Sequence, residues 1–344
     1  MMISSIRRRR RHDVVRTLQI FWMISMTIET CHSLWTGVNS FTLRSNFNSD
    51  FRRADTLVRK LSETSGVELE PLLGISEPVE VIKEGPLYAV INKPGSVKCH
   101  YSEWTGKTNE VPMLQRVRDT LQRRVNLIHR LDRGASGCLL VALSSEGKED
   151  CDQLRTATKL LSDALQSPDA IKTYVAITRG EGILRGEDLK EKSYFVVDRP
   201  IKDENGIENS ATTMFNFVGG VNRASDGVRA SIVIAKPSTG RWHQIRRHLN
   251  GLSHPILGDS SHGNSRTNRE WRDRGLPNER FCLHLARIQV PATELTDQID
   301  VTCPLPKDMS MIINKYLPDV LSETRSLLES EGIIIEQEKI NGNV

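Results

Sequence analysis

From residue 77 onward the apolar positions form short continuous runs and stripes at helical spacing, in an order that never settles into strict strand–helix alternation. Leu87-Tyr-Ala-Val-Ile91 predicts a buried strand that leaves into a turn at Asn92-Lys-Pro-Gly95. Cys138 to Leu143 predicts a second core strand, and Val228 to Ala235 and Phe281 to Val290 two more. Lys172 to Thr178 alternates, with Thr173, Val175 and Ile177 on one face and Lys172, Tyr174 and Ala176 on the other. Helical spacing joins Met113, Leu114, Val117 and Leu121 behind Pro112, and Leu154, Ala157, Leu161 and Leu165 within 150–166. Trp242, Ile245 and Leu249 share an expected inner stripe, and two short helices are expected around Met309 to Tyr316 and Asp319 to Glu329. Such a mixture predicts an α+β domain. Residues 77–320 form the expected main domain, 321–344 a C-terminal helix and tail, and 1–76 a leader with a weak helical lead-in over 54–73. His262 to Pro277, rich in Asn, Arg and Gly, is expected as a long polar loop.

Composition adds little until it is divided along the chain. The 344 residues, 38% hydrophobic and 26% charged, have the balance of a globular protein and exclude fibrous and disordered classes. The net charge of +4 is uneven: residues 1–60 hold 11 Lys and Arg against 4 Asp and Glu, leaving 36 against 39 for the remainder. Nucleic-acid binding by the main domain therefore needs a local basic patch. The six cysteines show no CxxC pair and no zinc-type histidine spacing, so no metal and no disulfide framework is expected.

Arg7 to Arg11 followed by the apolar stretch Leu18 to Ile28 has the form of a signal-peptide n-region and h-region, and the Ser- and Asn-rich Phe41 to Ser49 resembles a transit segment. A bipartite leader of this kind resembles those that route proteins to plastids. A mitochondrial presequence is the second reading, and a basic tail on a cytoplasmic protein the third. The expected mature form is a monomer with no membrane segment.

Chemistry concentrates in two segments. His129-Arg-Leu-Asp-Arg-Gly-Ala-Ser-Gly137 places Asp132 between arginines in a glycine-containing turn ahead of a core strand, where a side chain is held fixed yet accessible. Taken alone, this segment favours Asp132 as an ordinary surface ion-pair partner of Arg130 or Arg133. The second segment is Gly240-Arg-Trp-His-Gln-Ile-Arg-Arg-His-Leu249, followed by His254-Pro-Ile-Leu-Gly-Asp259. Together with Leu283-His-Leu-Ala286, Val90-Ile-Asn-Lys-Pro94 and Lys172-Thr-Tyr-Val-Ala176, these segments resemble, in order, the motifs of the RluA-type pseudouridine synthases, and Arg246-Arg-His248 and His262-Gly263 resemble the tRNA-modifying TruC branch. Ala135 stands where the family has Thr, and Gly134 is unusual there.

The resemblance implies the pseudouridine synthase fold, a mixed, largely antiparallel sheet with a central cleft and flanking helices. It also implies isomerisation of a specific uridine in a tRNA or rRNA stem-loop, with no cofactor. Asp132, Tyr174 and Arg246 are the implied catalytic residues: Asp132 as an ionised carboxylate that attacks the substrate or removes a ribose proton, Arg246 as its guanidinium partner, and Tyr174 as a stacking surface for uracil with a part in C5 deprotonation. Arg130 is the implied filler of the gap left by the extruded base, and His129, Arg133, Arg241, His243, Gln244 and Arg247 are further expected RNA contacts. An RNA-binding or RNA-chaperone protein of the same fold without turnover is the alternative. A nucleoside or glycoside hydrolase would need a second carboxylate across the cleft.

Overall fold

The computed structural model describes residues 78–101, 110–145 and 151–336. The leader, the helical pattern over 54–73 and the end of the tail lie outside the described residues. In chain order the elements begin with β1 (Glu80–Glu84), β2 (Tyr88–Lys93), α1 (Met113–Leu121), β3 (Val125–Leu127), β4 (Ser136–Leu143) and α2 (Cys151–Gln166). Next come β5 (Ile171–Arg179), a ribbon of β6 (Ile183–Leu184) with β7 (Glu187–Asp188), β8 (Phe195–Asp198) and a ribbon of β9 (Ile201–Lys202) with β10 (Glu208–Asn209). The remainder is β11 (Thr212–Arg223), β12 (Val228–Pro237), α3 (Gln244–Gly251), α4 (Ser265–Asp273), β13 (Leu283–Val290), β14 (Ile299–Thr302), α5 (Lys307–Tyr316) and α6 (Pro318–Ser330).

One ten-stranded sheet organises them in the order β1-β2-β4-β13-β5-β12-β11-β8, with β3 alongside β4 and β14 alongside β13. The pairings are antiparallel except that of β4 with β13, which makes the sheet mixed, as expected. At that parallel contact Gly137 lies opposite Leu285 at φ 117°, and a Cβ on residue 137 would enter the Leu285 backbone. Glycine is the residue that allows both the angle and the approach.

β4 is buried at each of its positions, which is why its sequence is a continuous apolar run and not an alternation. α2 turns Leu154, Ala157, Leu161 and Leu165 inward, the stripe its spacing predicts. In β5 the predicted alternation lasts only to Tyr174; Ala176 and Thr178 are buried as well as Val175 and Ile177, because the strand runs between β13 and β12 with both faces covered.

Three expectations are corrected. Residues 262–277 are not a continuous loop: α4 forms there because the Asn264 side chain caps the Thr267 amide, while Asn268 and Trp271, three apart, turn inward. Trp242 is not part of an inner stripe, since it precedes α3 and remains 58% exposed. The boundary drawn at residue 320 falls inside α6, whose Val320 and Leu321 are buried, with Val320 packing over Gly219 of β11.

Candidate active site

The loop before β4 carries Asp132 and is clamped from below. The buried Lys93, at the end of β2, donates to the carbonyls of Pro94 (2.9 Å), Arg133 (3.2 Å) and Ala135 (2.7 Å). Burial pushes its ammonium down to about 8, and the three carbonyls solvate it in place of water. Buried Arg280 approaches the same loop from the other side, donating to the Gly134 carbonyl and to Ser136 Oγ (2.8 Å) while pairing with Asp308 at 2.8 Å. Phe281 lies against Gly134, and a Cβ on residue 134 would meet its ring, which accounts for glycine at a position where the family motif does not require it.

Above this clamp the Asp132 side chain is 31% exposed and reaches the first turn of α3, where Arg246 donates from Nη1 to its Oδ2 at 2.9 Å. The other two nitrogens of that guanidinium face Asp259, Nε to Oδ2 at 2.7 Å and Nη2 to Oδ1 at 2.8 Å, while its plane lies over the Phe281 ring at 4.5 Å. Burial opposes the charge on both partners, yet their mutual bonds prevail: the Arg246 pKa is raised and that of Asp259 is lowered. Asp259 also accepts from the backbone amides of Ser261 (2.9 Å) and His262 (3.0 Å). Tyr174 is half-buried at the start of β5 and lines the same cleft; burial, then the Asp132 charge, hold its phenol well above the usual range.

The cleft has a volume of about 950 Å³. Lys98, Arg130, Arg133, Lys172, Arg241 and Arg246 line it, and Asp132 is the single carboxylate among its described lining residues. A domain of slightly negative net charge thus presents a cationic hollow with one acid at its base, suited to a polyanion that brings a reactive group to a carboxylate. Among the described residues no second carboxylate lines the cleft, and a two-carboxylate hydrolase arrangement is not seen there.

Of the residues expected to touch RNA, Arg130, Arg133 and Arg241 reach the cleft with exposed side chains. Arg130 approaches His100 (3.4 Å), Arg133 pairs with Glu110 (3.0 Å) and Glu279 (2.7 Å), and Arg241 donates to the Ser210 carbonyl (2.9 Å). His243 lies 3.9 Å from Asp132. Three others have partners of their own, Gln244 and His129 while also lining the cleft. Gln244 is buried and its amide is fully engaged, accepting from Thr239 Oγ1 and the Arg241 amide and donating to the Thr212 carbonyl and Thr213 Oγ1, so it shapes the 238–244 turn. His129 accepts from the Leu140 amide at 3.1 Å and is pushed down to about 4 by burial, which makes it a neutral pin between the loop and β4. Arg247 is absent from the cleft lining and donates to the Lys202 carbonyl.

Residues 87–251 match the RNA pseudouridylate synthase family. A tRNA pseudouridine synthase C of Haemophilus ducreyi is 31% identical over 234 residues, which are 66% of this chain and 90% of that protein. The chain belongs to the RluA-type RNA pseudouridylate synthase family. Another tRNA pseudouridine synthase C, from Pectobacterium carotovorum, is 31% identical over 220 residues; the match covers 62% of this chain and only 55% of that relative. Among solved structures, human RNA pseudouridylate synthase domain containing 1 is similar in fold, with a TM-score of 0.52 at 21% identity over 76% of this chain and 98% of that one.

The site has components whose work the linear motifs do not reveal. Lys93 stood in a turn and in the motif Val90 to Pro94 with no role of its own, and Arg280 carried no signal beyond its place before Leu283-His-Leu-Ala286. Their work as buried cations beneath one loop depends on β2 and β13 flanking β4 on its two sides. His262, 2.9 Å from His243, stood in the motif-like pair His262-Gly263, but nothing along the chain shows that it faces His243.

Proposed function

We propose that this synthase isomerises a uridine in a structured RNA, tRNA in preference to rRNA, through the carboxylate of Asp132. The observation that carries the proposal is an accessible cleft carboxylate, Asp132, bonded to an arginine that a fully buried Asp259 already grips from behind. In the reaction the bond from ribose C1′ to uracil N1 breaks, the base turns, and a bond from C1′ to C5 forms. C5 gives up its proton and N1 acquires one, so no redox partner is required. A carboxylate serves either as nucleophile or as base in the first step. Arg246 keeps it ionised and aimed, Tyr174 gives the uracil a stacking face, and Arg130 fills the space the extruded base leaves. The preference for tRNA is supported by the named activity of the relatives from Haemophilus and Pectobacterium.

The test is conversion of uridine to pseudouridine in stem-loop RNAs by the full chain and by Asp132→Asn. The variant is expected to bind RNA with unchanged affinity and to lose turnover. Equal turnover by the variant overturns the assignment, and RNA binding without turnover by the parent chain favours the binding-only alternative. We further propose import into an organelle, a plastid before a mitochondrion, on the arginine block and apolar stretch at Arg7 to Ile28. A fluorescent fusion of residues 1–76 that stays cytoplasmic would overturn that proposal.

A further inference from the structure

His243 occupies a costly position. It precedes α3 in left-handed backbone geometry, φ 55° and ψ 27°, and its side chain makes no capping bond there. A non-glycine residue held in that region marks a site where neighbours impose the conformation. Three neighbours do so. The exposed Trp242 stacks on one face of the imidazole at 3.9 Å, His262 meets its edge with Nε2 2.9 Å from His243 Nδ1, and Asp132 Oδ2 lies 3.9 Å from His243 Nε2. His262 is itself placed by Asp259, which accepts its backbone amide at 3.0 Å, so the carboxylate that grips Arg246 also seats this second histidine.

Burial pushes both imidazoles down, His243 to about 4, so at neutral pH each ring carries one proton. A 2.9 Å contact between two ring nitrogens needs a proton between them, and it comes from one ring or the other. If His243 supplies it from Nδ1, its bare Nε2 lone pair faces the Asp132 carboxylate. If His262 supplies it from Nε2, the His243 proton sits on Nε2 and faces that carboxylate instead. Electrostatics selects the second arrangement. At 3.9 Å the His243 donor is too far from Asp132 for a direct hydrogen bond, so it remains available to a ligand atom lying beside the carboxylate.

We propose that His262 is a positioning residue that donates Nε2–H to His243 Nδ1, leaving His243 Nε2–H as a hydrogen-bond donor for an oxygen of the extruded uridine next to Asp132. The assignment of the acceptor rests on the isomerase proposal above; the tautomer does not. In the full chain labelled with 15N-histidine, with His243 signals identified by their loss in His243→Asn, long-range proton–nitrogen spectra are expected to show a bare Nδ1 and a protonated Nε2. His262→Phe is expected to mix the two tautomers and lower kcat/KM about tenfold, the effect of one hydrogen bond, with RNA affinity unchanged. His262→Gln, whose amide can donate in the same place, is expected to restore both the spectrum and most of the rate; it also carries the test if His262→Phe fails to fold. A protonated Nδ1 in the active parent chain, or an unchanged tautomer in folded His262→Phe, overturns the inference and spares the isomerase. A parent chain with the stated tautomer and no turnover overturns the isomerase proposal and leaves the histidine arrangement standing.

Discussion

Asp259 holds Arg246 through two parallel bonds of 2.7 and 2.8 Å, while Asp132 receives one bond of 2.9 Å from the same guanidinium. The exposures of the two carboxylates differ in the same sense: Asp259 is fully buried and Asp132 is 31% exposed. A bidentate buried pair sets the plane of the arginine, and the remaining N–H aims the accessible acid. The geometry therefore separates a buried anchor from an accessible acid, although both touch one cation.

Asp259→Asn keeps the size of the side chain and removes its charge, leaving a buried guanidinium with only the half-open Asp132 as counter-ion. Loss of one partner from a buried pair costs about 3 to 5 kcal/mol, and misplacement of a catalytic group by about 1 Å costs roughly 100-fold in rate. The expected outcome is a lower urea midpoint together with a fall in kcat of that size and little change in RNA affinity. Undiminished kcat in this variant would place Arg246 under the control of other contacts.

Arg280→Gln removes the donors to the Gly134 carbonyl and Ser136 Oγ and strands Asp308. Because Lys93 still holds Arg133 and Ala135, the loop is expected to loosen without collapsing. Slower single-turnover chemistry, with a lower urea midpoint, is the expected result of breaking a pair whose arginine is buried and whose aspartate is partly exposed. Hydrogen exchange at the amides of residues 133–136 is expected to quicken in the variant.

Acid should destabilise the fold well before the ordinary carboxylate range. His129 and His284 are pushed down to about 4 by burial, so between pH 6.5 and 4 the unfolded chain binds protons that the folded chain refuses. Stability is lost as pH falls through that window, on the order of 3 kcal/mol for His284. Below it a second loss follows from the lowered pKa of Asp259, whose stabilising contribution is fully present above the unfolded carboxylate value near 4 and is lost as the folded carboxylate takes up its proton. Urea titrations at stepped pH are expected to show the first slope shrink in His284→Asn.

Arg130→Ala and Arg241→Ala each remove one cleft cation, whereas Arg247→Ala removes one outside it. Each of the first two is expected to reduce the slope of log affinity against log salt by close to one, and the third to leave it unchanged. Fluorescence anisotropy of a labelled stem-loop across a salt series measures this directly.

The sequence was most legible where burial is continuous or strictly periodic. β4 and α2 follow their apolar patterns because a fully buried strand and a one-sided helix each leave a local signature. Asp132, Tyr174 and Arg246 stood out through ordered motifs, and the fold places all three on one cleft. Legibility failed where a side chain's work depends on what packs against it. Trp242 fitted an apolar stripe yet lies on the surface over His243, and Gln244 and His129 line the cleft while also bonding within the fold, Gln244 to the Thr212 carbonyl and Thr213 Oγ1 and His129 to the Leu140 amide. α4 was hidden because its inward residues are Asn268 and Trp271 among arginines, too few apolar positions to show a period.

By itself the chain of residues determined the α+β class, the family, and which acid, arginine and tyrosine carry the motifs, since these depend on residue type and on order along the chain. Only the tertiary structure decided that Arg246 is shared between two carboxylates and that Lys93 and Arg280 brace one loop from opposite sides. It alone also decided that His262 faces His243. Those relationships join residues up to 146 positions apart across three neighbouring strands, and the free energy of a buried charge depends on its partners in space, about which spacing along the chain is silent.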